Sequence, residues 1–462
     1  MEDTVVSDHY GKNIAKLFDL QKFGMKFGLD SMNQILENLG RPHEGLKFVH
    51  LAGTNGKGST AAMLAEGLRR QGLKTGLYTS PHLITFRERI QINGQFIGQG
   101  EVIELVNQVW PATDPASPPT FFEFVTAMAF LYFKQKGVDL AVIETGLGGR
   151  LDSTNVIRPL LSAITNVSLE HTDHLGTTIE EITFEKAGVI KRAVPFVGGR
   201  YTEKVSKLIL EKSQEMNCPS VMILGRDYQV KIAPEQAGAA FGLGGAAQTI
   251  DYIGPKWQLS GLPLALTGPY QADNGAMALA MAETLAGLED LGFELKPEII
   301  SRGLSSVKWP GRAEVFAAGT WPAEKNSAAP LILDGAHNPA GALALTSLLK
   351  TAPRKKLHLV VGVMADKDIA GVLAPVLELA DCLYLTRPAY HRAADPELLL
   401  SRLTKALGQP KCPYSLHPTI PQALAAAAQA ASPEDLVVVS GSLFTVGETR
   451  AYLTGAPAVE SN

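Results

Sequence analysis

A chain of 462 residues is longer than one ordinary core, and its 45% hydrophobic and 19% charged residues are those of a globular protein of two or three domains. A formal net charge of −4 gives no footing for a nucleic-acid or acidic-membrane partner. Three scattered cysteines, Cys218, Cys382 and Cys412, form no disulfide or metal framework and point to a reducing, cytoplasmic setting.

The opening MEDTVVSDHYGKNIAKLFDL is polar, and no apolar run nears the twenty residues of a membrane span, so neither a signal peptide nor an anchor is expected. Residues 47–52 (KFVHLA) read as a buried strand, and 57–71 as a helix with Ala61, Leu64, Ala65 and Leu68 on one face. TGLYTS (75–80) is a second strand, and FFEFVTAMAFLYFKQKG (121–137) an apolar helix closed by Gly137. VDLAVIETG (138–146) and LLSAITNVS (160–168) have the continuous apolar character of strands inside a parallel sheet. Residues 178–192 begin with a threonine cap and end in cations, as a helix does. Residues 219–266 read as a small β insertion, and 271–288 return to a helix. From about residue 306, strands at LILDGAH, KLHLVVGVM, DCLYLTRP and DLVVVSG alternate with helices at PAGALALTSLLK, DIAGVLAPVLELA, ELLLSRLTKAL, IPQALAAAAQA and SLFTVGETRAYL. This alternation means βαβ units and a second parallel sheet. The expectation is an α/β protein with a P-loop-type parallel-sheet domain over 1–305 and a smaller Rossmann-like α/β domain over 306–462.

The stretch HLAGTNGKGST places Gly53, Gly56 and Gly58 around Lys57, between a strand and a helix. It departs from the usual phosphate-loop pattern: Leu51 stands five before Gly56, and Gly58 separates Lys57 from Ser59 and Thr60. The flanks are still those of a phosphate loop, with backbone amides to turn on phosphate oxygens and a lysine to meet the outer ones. Further polar groups follow strands, where ligands of parallel sheets bind. They are Glu144 before the glycine-rich TGLGGRLDSTN, the loop LEHTDHLG with His171, Asp173 and His174, and Asp334, His337 and Asn338 in LDGAHNP. No closed set of zinc ligands is apparent, and oxygen ligands from Ser80 and Glu144 beside a phosphate suit magnesium. Arg312 in KWPGR follows the expected domain boundary, where a second unit can bring it to phosphoryl charge. Each has a plainer reading: a helix cap for Glu144, a hydrogen-bonded structural histidine for His171, a hinge salt bridge for Arg312. By composition alone, Lys186 is a solvated helix lysine.

Taken in order, HLAGTNGKGS, TSPHLITFRERIQING, ETGLGGRLDSTN, LEHTDHLG, FEKAGVIK, YQADNGAMAL, WPGR and DGAHNP resemble the folylpolyglutamate synthases, including the bacterial form that is also dihydrofolate synthase; that family belongs with the Mur ligases. The resemblance runs over about residues 10–450. It implies a Mur ligase-like fold and ATP-dependent amide formation between a folate or dihydropteroate carboxyl and L-glutamate. Thr54, Asn55, Gly56, Lys57, Gly58 and Ser59 would wrap the ATP phosphates. Asn274, Arg312 and Asp334 would hold the nucleotide from the far side. Ser80, Glu144 and His171 would hold one or two magnesium ions, with room for a potassium ion in such sites. Lys186 matches a lysine that is carbamylated in the family. Phe122, Leu151 and Asp152 fall where the family places the pterin, and His337 and Ser442 where it places incoming glutamate. Tyr270-Gln271 stands where the family often has His-Gln. A monomer acting on small molecules is expected.

The implied chemistry spends ATP because a carboxylate is a poor electrophile. Phosphorylation gives an acyl phosphate, which the neutral amine of glutamate captures, with His337 as candidate orienting group or base. The same motifs leave room for a ligase of a uridine-linked cell-wall precursor, or for an ATPase switch with a protein partner.

Overall fold

A computed structural model gives the fold, describing residues 2–24, 26, 28–233, 248–320 and 328–460. The first sheet contains β1 (Phe48–Ala52), β2 (Thr75–Tyr78), β3 (Ile90–Ile92), β4 (Gln95–Phe96), β5 (Leu140–Glu144), β6 (Leu161–Ile164), β7 (Phe196–Gly198) and β8 (Val221–Ile223). Their order is β4-β3-β2-β5-β1-β6-β7-β8, parallel except for β3 and β4 at one edge. β1 lies between β5 and β6, with Leu51 opposite Glu144 and Ala52 opposite Ile164. The turns leaving the carboxyl ends of these three strands therefore share one rim.

Burial of alternate side chains against layers on both faces explains why β1 and β5 are apolar but for His50 and Glu144. Val49, Leu51 and Val142 face one layer with Leu64, Leu68 and Met281 from helices Lys57–Arg70 and Pro269–Ala286. Phe48, Ala141 and Ile143 face the other, against Phe124 and Phe130 of helix Phe121–Gln135. Thr120 and Glu123 start that helix with reciprocal capping bonds.

β9 (Gln229–Ile232), β10 (Gln248–Ile253) and β11 (Gln258–Leu264) form a separate antiparallel sheet. The insertion expected over 219–266 is therefore narrower: β8 completes the large sheet by pairing with β7, and residues 234–247 lie outside the described residues. The third sheet comprises β12 (Glu314–Phe316), β13 (Leu331–Leu333), β14 (Leu357–Val361), β15 (Cys382–Leu385), β16 (Tyr414–Leu416) and β17 (Leu436–Ser440). Its order is β12-β13-β17-β14-β15-β16, with only β12 antiparallel.

Helices Glu2–Asp19, Gln99–Val109, Glu203–Glu215 and Pro297–Ser306 join those expected from periodicity. The helix expected over 178–192 is shorter, Ile179–Ala187. Gly188 ends it against the glycine-rich turn, where a Cβ would stand 2.3 Å from Arg150 Cα, so Lys191 and Arg192 fall beyond the last turn. That packing also corrects the compositional reading of Lys186: it is 2% exposed, not a solvated lysine.

Candidate active site

The glycine loop leaves β1 under tight constraints. A Cβ on Gly53 would lie 1.9 Å from Thr165 Oγ1, and one on Gly56 2.5 Å from Asn274 Oδ1; both glycines have positive φ. Lys57 opens the following helix, and its Nζ donates to the carbonyls of Gly53 (3.0 Å) and Thr54 (3.1 Å). The Thr54 hydroxyl accepts from Ser168 N (3.1 Å), and Asn55 N donates to Asn166 Oδ1 (2.9 Å), which tie the loop to the segment after β6. Gln271 Nε2 reaches Ser59 Oγ at 3.4 Å.

Glu144 is the buried last residue of β5. Its Oε2 accepts from Ser80 N (3.1 Å), and its Oε1 is 4.0 Å from Lys57 Nζ. Burial raises its pKa, with Lys57 the main opposing charge. His171 has φ 51° before a short helix, and burial pushes its pKa down to about 4, so the ring is neutral and able to ligate at pH 7. Lys186 Nζ donates to Gly53 O (2.9 Å); burial first, and then the Lys57 charge, lower its pKa to about 7.

The third sheet supplies the opposite wall. Asp334 is buried and accepts from Ala336 N (2.9 Å), Ala313 N (2.9 Å) and the Tyr270 hydroxyl (3.2 Å). Burial raises its pKa against the pull of Arg312. His337 Nδ1 bonds Gly335 O (2.8 Å), and its Nε2 is 3.5 Å from Glu170 Oε1. Asn338 caps the helix Pro339–Thr351 and exchanges two side-chain bonds with Asn55 (3.0 and 3.2 Å), joining the two sheets' rims.

One cavity of about 400 Å³ collects Thr54 to Ser59, Ser80, Glu144, His171, Lys186, Asn274, Arg312, Asp334 and His337. Asp173 and His174 do not line it. Phe122, Leu151, Asp152 and Ser442 also stand outside its lining. Phe122 packs its ring on Gly146, which does line the cavity, and Asp152 accepts from Leu147 N (2.8 Å) behind the same wall. Ser442 caps the helix Leu443–Thr454 by accepting from Thr445 N (3.0 Å), beside the cavity-lining Leu443.

Glu170 and His50 escaped the sequence reading, and Tyr270 and Asn338, which it named, take contacts it did not foresee. Glu170 lines the cavity; burial alone would raise its pKa, but the His337 hydrogen bond, the Lys57 charge and the Asn338 amide pull it well below the carboxylate range. Its only sequence signal is its place beside His171. Tyr270 supplies through its hydroxyl a partner for Asp334, and Asn338 bridges the rims. His50, buried in mid-strand, reaches Thr154 Oγ1 (2.8 Å), whose proton goes to Asp152.

Ser80, Glu144 and His171 are an incomplete donor set, and among the described residues no three His, Cys, Asp or Glu side chains gather to hold a metal ion by themselves. A buried carboxylate beside a hydroxyl and a phosphate loop fits a magnesium ion that keeps phosphate and water oxygens as its other ligands.

The Mur ligase middle domain matches residues 51–282, and the Mur ligase glutamate ligase domain residues 321–443. A probable bifunctional folylpolyglutamate synthase/dihydropteroate synthase of Haloferax volcanii is 37% identical over 97% of this chain, which spans about half, 51%, of that relative's length. The folylpolyglutamate synthase of Lacticaseibacillus casei is 34% identical over 91% of this chain and 93% of its own. The crystal structure of the Mycobacterium tuberculosis folylpolyglutamate synthase complexed with ADP and AMPPCP superimposes with TM-score 0.83 at 31% identity, covering 96% of this chain and 100% of that one. This chain belongs to the Mur ligase family, in its folylpolyglutamate synthase and dihydrofolate synthase branch.

Proposed function

We propose that the protein is an ADP-forming ligase that adds L-glutamate to folate, and to dihydropteroate, through an acyl phosphate. The observation that carries this reading is the single cavity shared by Lys57, Glu144 and Lys186 from one sheet and Arg312, Asp334 and His337 from another. Such a site can hold a nucleotide on the glycine loop and bring cations from both sides to its outer phosphate. The acceptor carboxylate attacks the γ-phosphorus, ADP leaves, and the repulsion between two anions is offset by Lys57 and Arg312. Magnesium, held by Ser80, Glu144 and His171, would neutralise phosphate charge. The amine of glutamate then attacks the acyl carbon and phosphate departs. Glu170 holds the His337 ring toward the cleft, and His337 orients the amine or takes its proton.

The nucleotide is read against Thr54 to Ser59, Asn274, Arg312 and Asp334, the pterin against Phe122, Leu151 and Asp152, and the incoming glutamate against His337 and Ser442. Lys186 in this reading is carbamylated. Its depressed pKa leaves neutral amine at pH 7, whose nitrogen attacks carbon dioxide and loses a proton, leaving a carbamate anion beside Lys57. Residues 1–305 and 306–462 act as two lobes that close around the acyl phosphate and keep water out. In this reading the protein acts as a monomer on small molecules. Unpaired cysteines support a cytoplasmic setting, and among the described residues no helix is long and apolar enough to cross a membrane.

The test is ATP-dependent incorporation of labelled glutamate, run side by side with dihydropteroate and tetrahydrofolate, with ADP and phosphate counted. Turnover of a uridine-linked precursor and of neither folate would overturn the assignment. So would ATP hydrolysis that never yields an amide.

A further inference from the structure

The segment 455–460 carries none of the motifs above, yet it ties the unit of the third sheet to that of the first. It leaves helix Leu443–Thr454 at Gly455, in left-handed backbone (φ 68°), and reaches the loop between β2 and β3. There Glu460 N donates to Ile84 O (2.7 Å), and Glu460 O lies 2.7 Å from His82 Nε2. Arg89 Nε donates to Nδ1 of the same ring (2.8 Å), so the proton of the neutral imidazole sits on Nε2 and is given to Glu460 O. Burial first, and then the Arg89 charge, keep that ring neutral by pushing its pKa down to about 3. One carboxylate oxygen, Glu460 Oε2, accepts from Phe86 N (2.7 Å), the Tyr10 hydroxyl (3.0 Å) and Thr85 Oγ1 (3.1 Å).

The loop is divided between the two units. Its base belongs to the first sheet: Thr79 N donates to Arg89 O (3.0 Å), and Ser80 N donates to Glu144 (3.1 Å). Its tip belongs to the third. Leu83 and Ile84 are buried in one core with Leu333, Val439 and Val446, and a Cβ on Gly447 would stand 2.2 Å from Leu83 O. The amides of Leu83, Ile84 and Thr85 are taken by the loop's own Glu88. The next amide, on the fully buried Phe86, goes to Glu460. Losing that acceptor leaves a buried donor to be satisfied at a cost.

We infer that Glu460 is a positioning residue: by holding the tip of this loop it seats Ser80, at the loop's base, for magnesium, an inference that rests on the magnesium site of the ligase reading above. Glu460 does not line the phosphate cavity and acts through the loop. The chain from Ser80 to Leu83 spans at most about 10 Å when extended, so a tip that shifts carries the base with it.

The experiment is calorimetric titration of the ATP analogue AMPPCP into the full chain, in EDTA and in saturating magnesium chloride, for wild type, Glu460→Ala and Glu460→Gln. Magnesium tightens binding to the wild type. Glu460→Ala loses roughly tenfold of that tightening, the lower end for a hydrogen bond to a charged acceptor, with the affinity in EDTA unchanged. Glu460→Gln keeps the shape and the backbone bonds but not the charge. Its loss is smaller, and it decides the outcome if Glu460→Ala unfolds. In ligation assays the magnesium concentration for half-maximal rate rises in the same order, while kcat at saturating magnesium returns to the wild-type value. A scaffold that had only loosened would lose kcat at every magnesium concentration. Magnesium-linked binding equal to wild type, or equal weakening with and without magnesium, in a folded variant overturns the role of Glu460 and leaves the ligase reading standing. A wild type that binds the analogue equally with and without magnesium overturns the magnesium site itself.

Discussion

At the scale of single residues, the site is a set of opposed charges gathered around one cavity. Lys57 bonds its own loop's carbonyls while standing 4.0 Å from buried Glu144, so its ammonium is held for an incoming anion at little reorganisation. Lys57→Ala is expected to lower kcat by about 10²–10³-fold, the range for one preorganised charge contact. Circular dichroism and Tm should stay near wild type. Lys186→Ala should lose ligation that short carboxylic acids partly restore, since they would replace the proposed carbamate; full activity in the unsupplemented variant would remove the carbamate from the mechanism. Because burial and Lys57 lower the Lys186 pKa to about 7, its neutral fraction grows as pH rises through 7. Carbamylation at limiting bicarbonate should therefore increase from pH 6 to pH 8, read by carbon-13 label uptake.

Elements set how these charges are presented. Helix Ile179–Ala187 carries Lys186 into the cavity and starts with Thr178 and Glu181 exchanging capping bonds. Thr178→Ala should cost about 1 kcal/mol in urea unfolding and lower activity together with it. In β1, His50 is fully buried with its pKa driven down to about 3 by burial, while an unfolded histidine titrates near 6.5. Between those values the unfolded chain binds more protons than the folded one. The contribution of neutral His50 is therefore whole above pH 6.5 and is lost as pH falls toward 3. The urea midpoint should drop over that window, and His50→Gln should flatten part of the drop; an unchanged pH profile would show that the strand tolerates imidazolium.

For the molecule as a whole, the proposed mechanism requires the two rims to meet. Asn55 and Asn338 exchange amide bonds between the loop after β1 and the turn after β13, and Asn338 also donates to Glu170. Removing that clasp should let water reach the acyl phosphate. Asn338→Ala is expected to raise the phosphate released per glutamate incorporated, measured by parallel phosphate and label assays. A ratio near one in the variant would show that closure is held by other contacts.

Local pattern fixed much of this in advance. The apolar runs of β1, β5, β13 and β17 and the glycines around Lys57 are legible because burial on two faces and positive φ each demand particular residues close together in the chain. Glu144, His171, Arg312, Asp334 and His337 could be named from their places after strands and beside the domain boundary. Tertiary structure alone decided the burial of Lys186, the anionic state of Glu170, the pairing of Tyr270 with Asp334 and the clasp between Asn55 and Asn338. It also moved β8 from the expected insertion into the large sheet and ended the Lys186 helix at Gly188. The physical reason is common to all of them. Desolvation and hydrogen bonding depend on neighbours brought in from other elements of the fold, and no local composition or period carries that information.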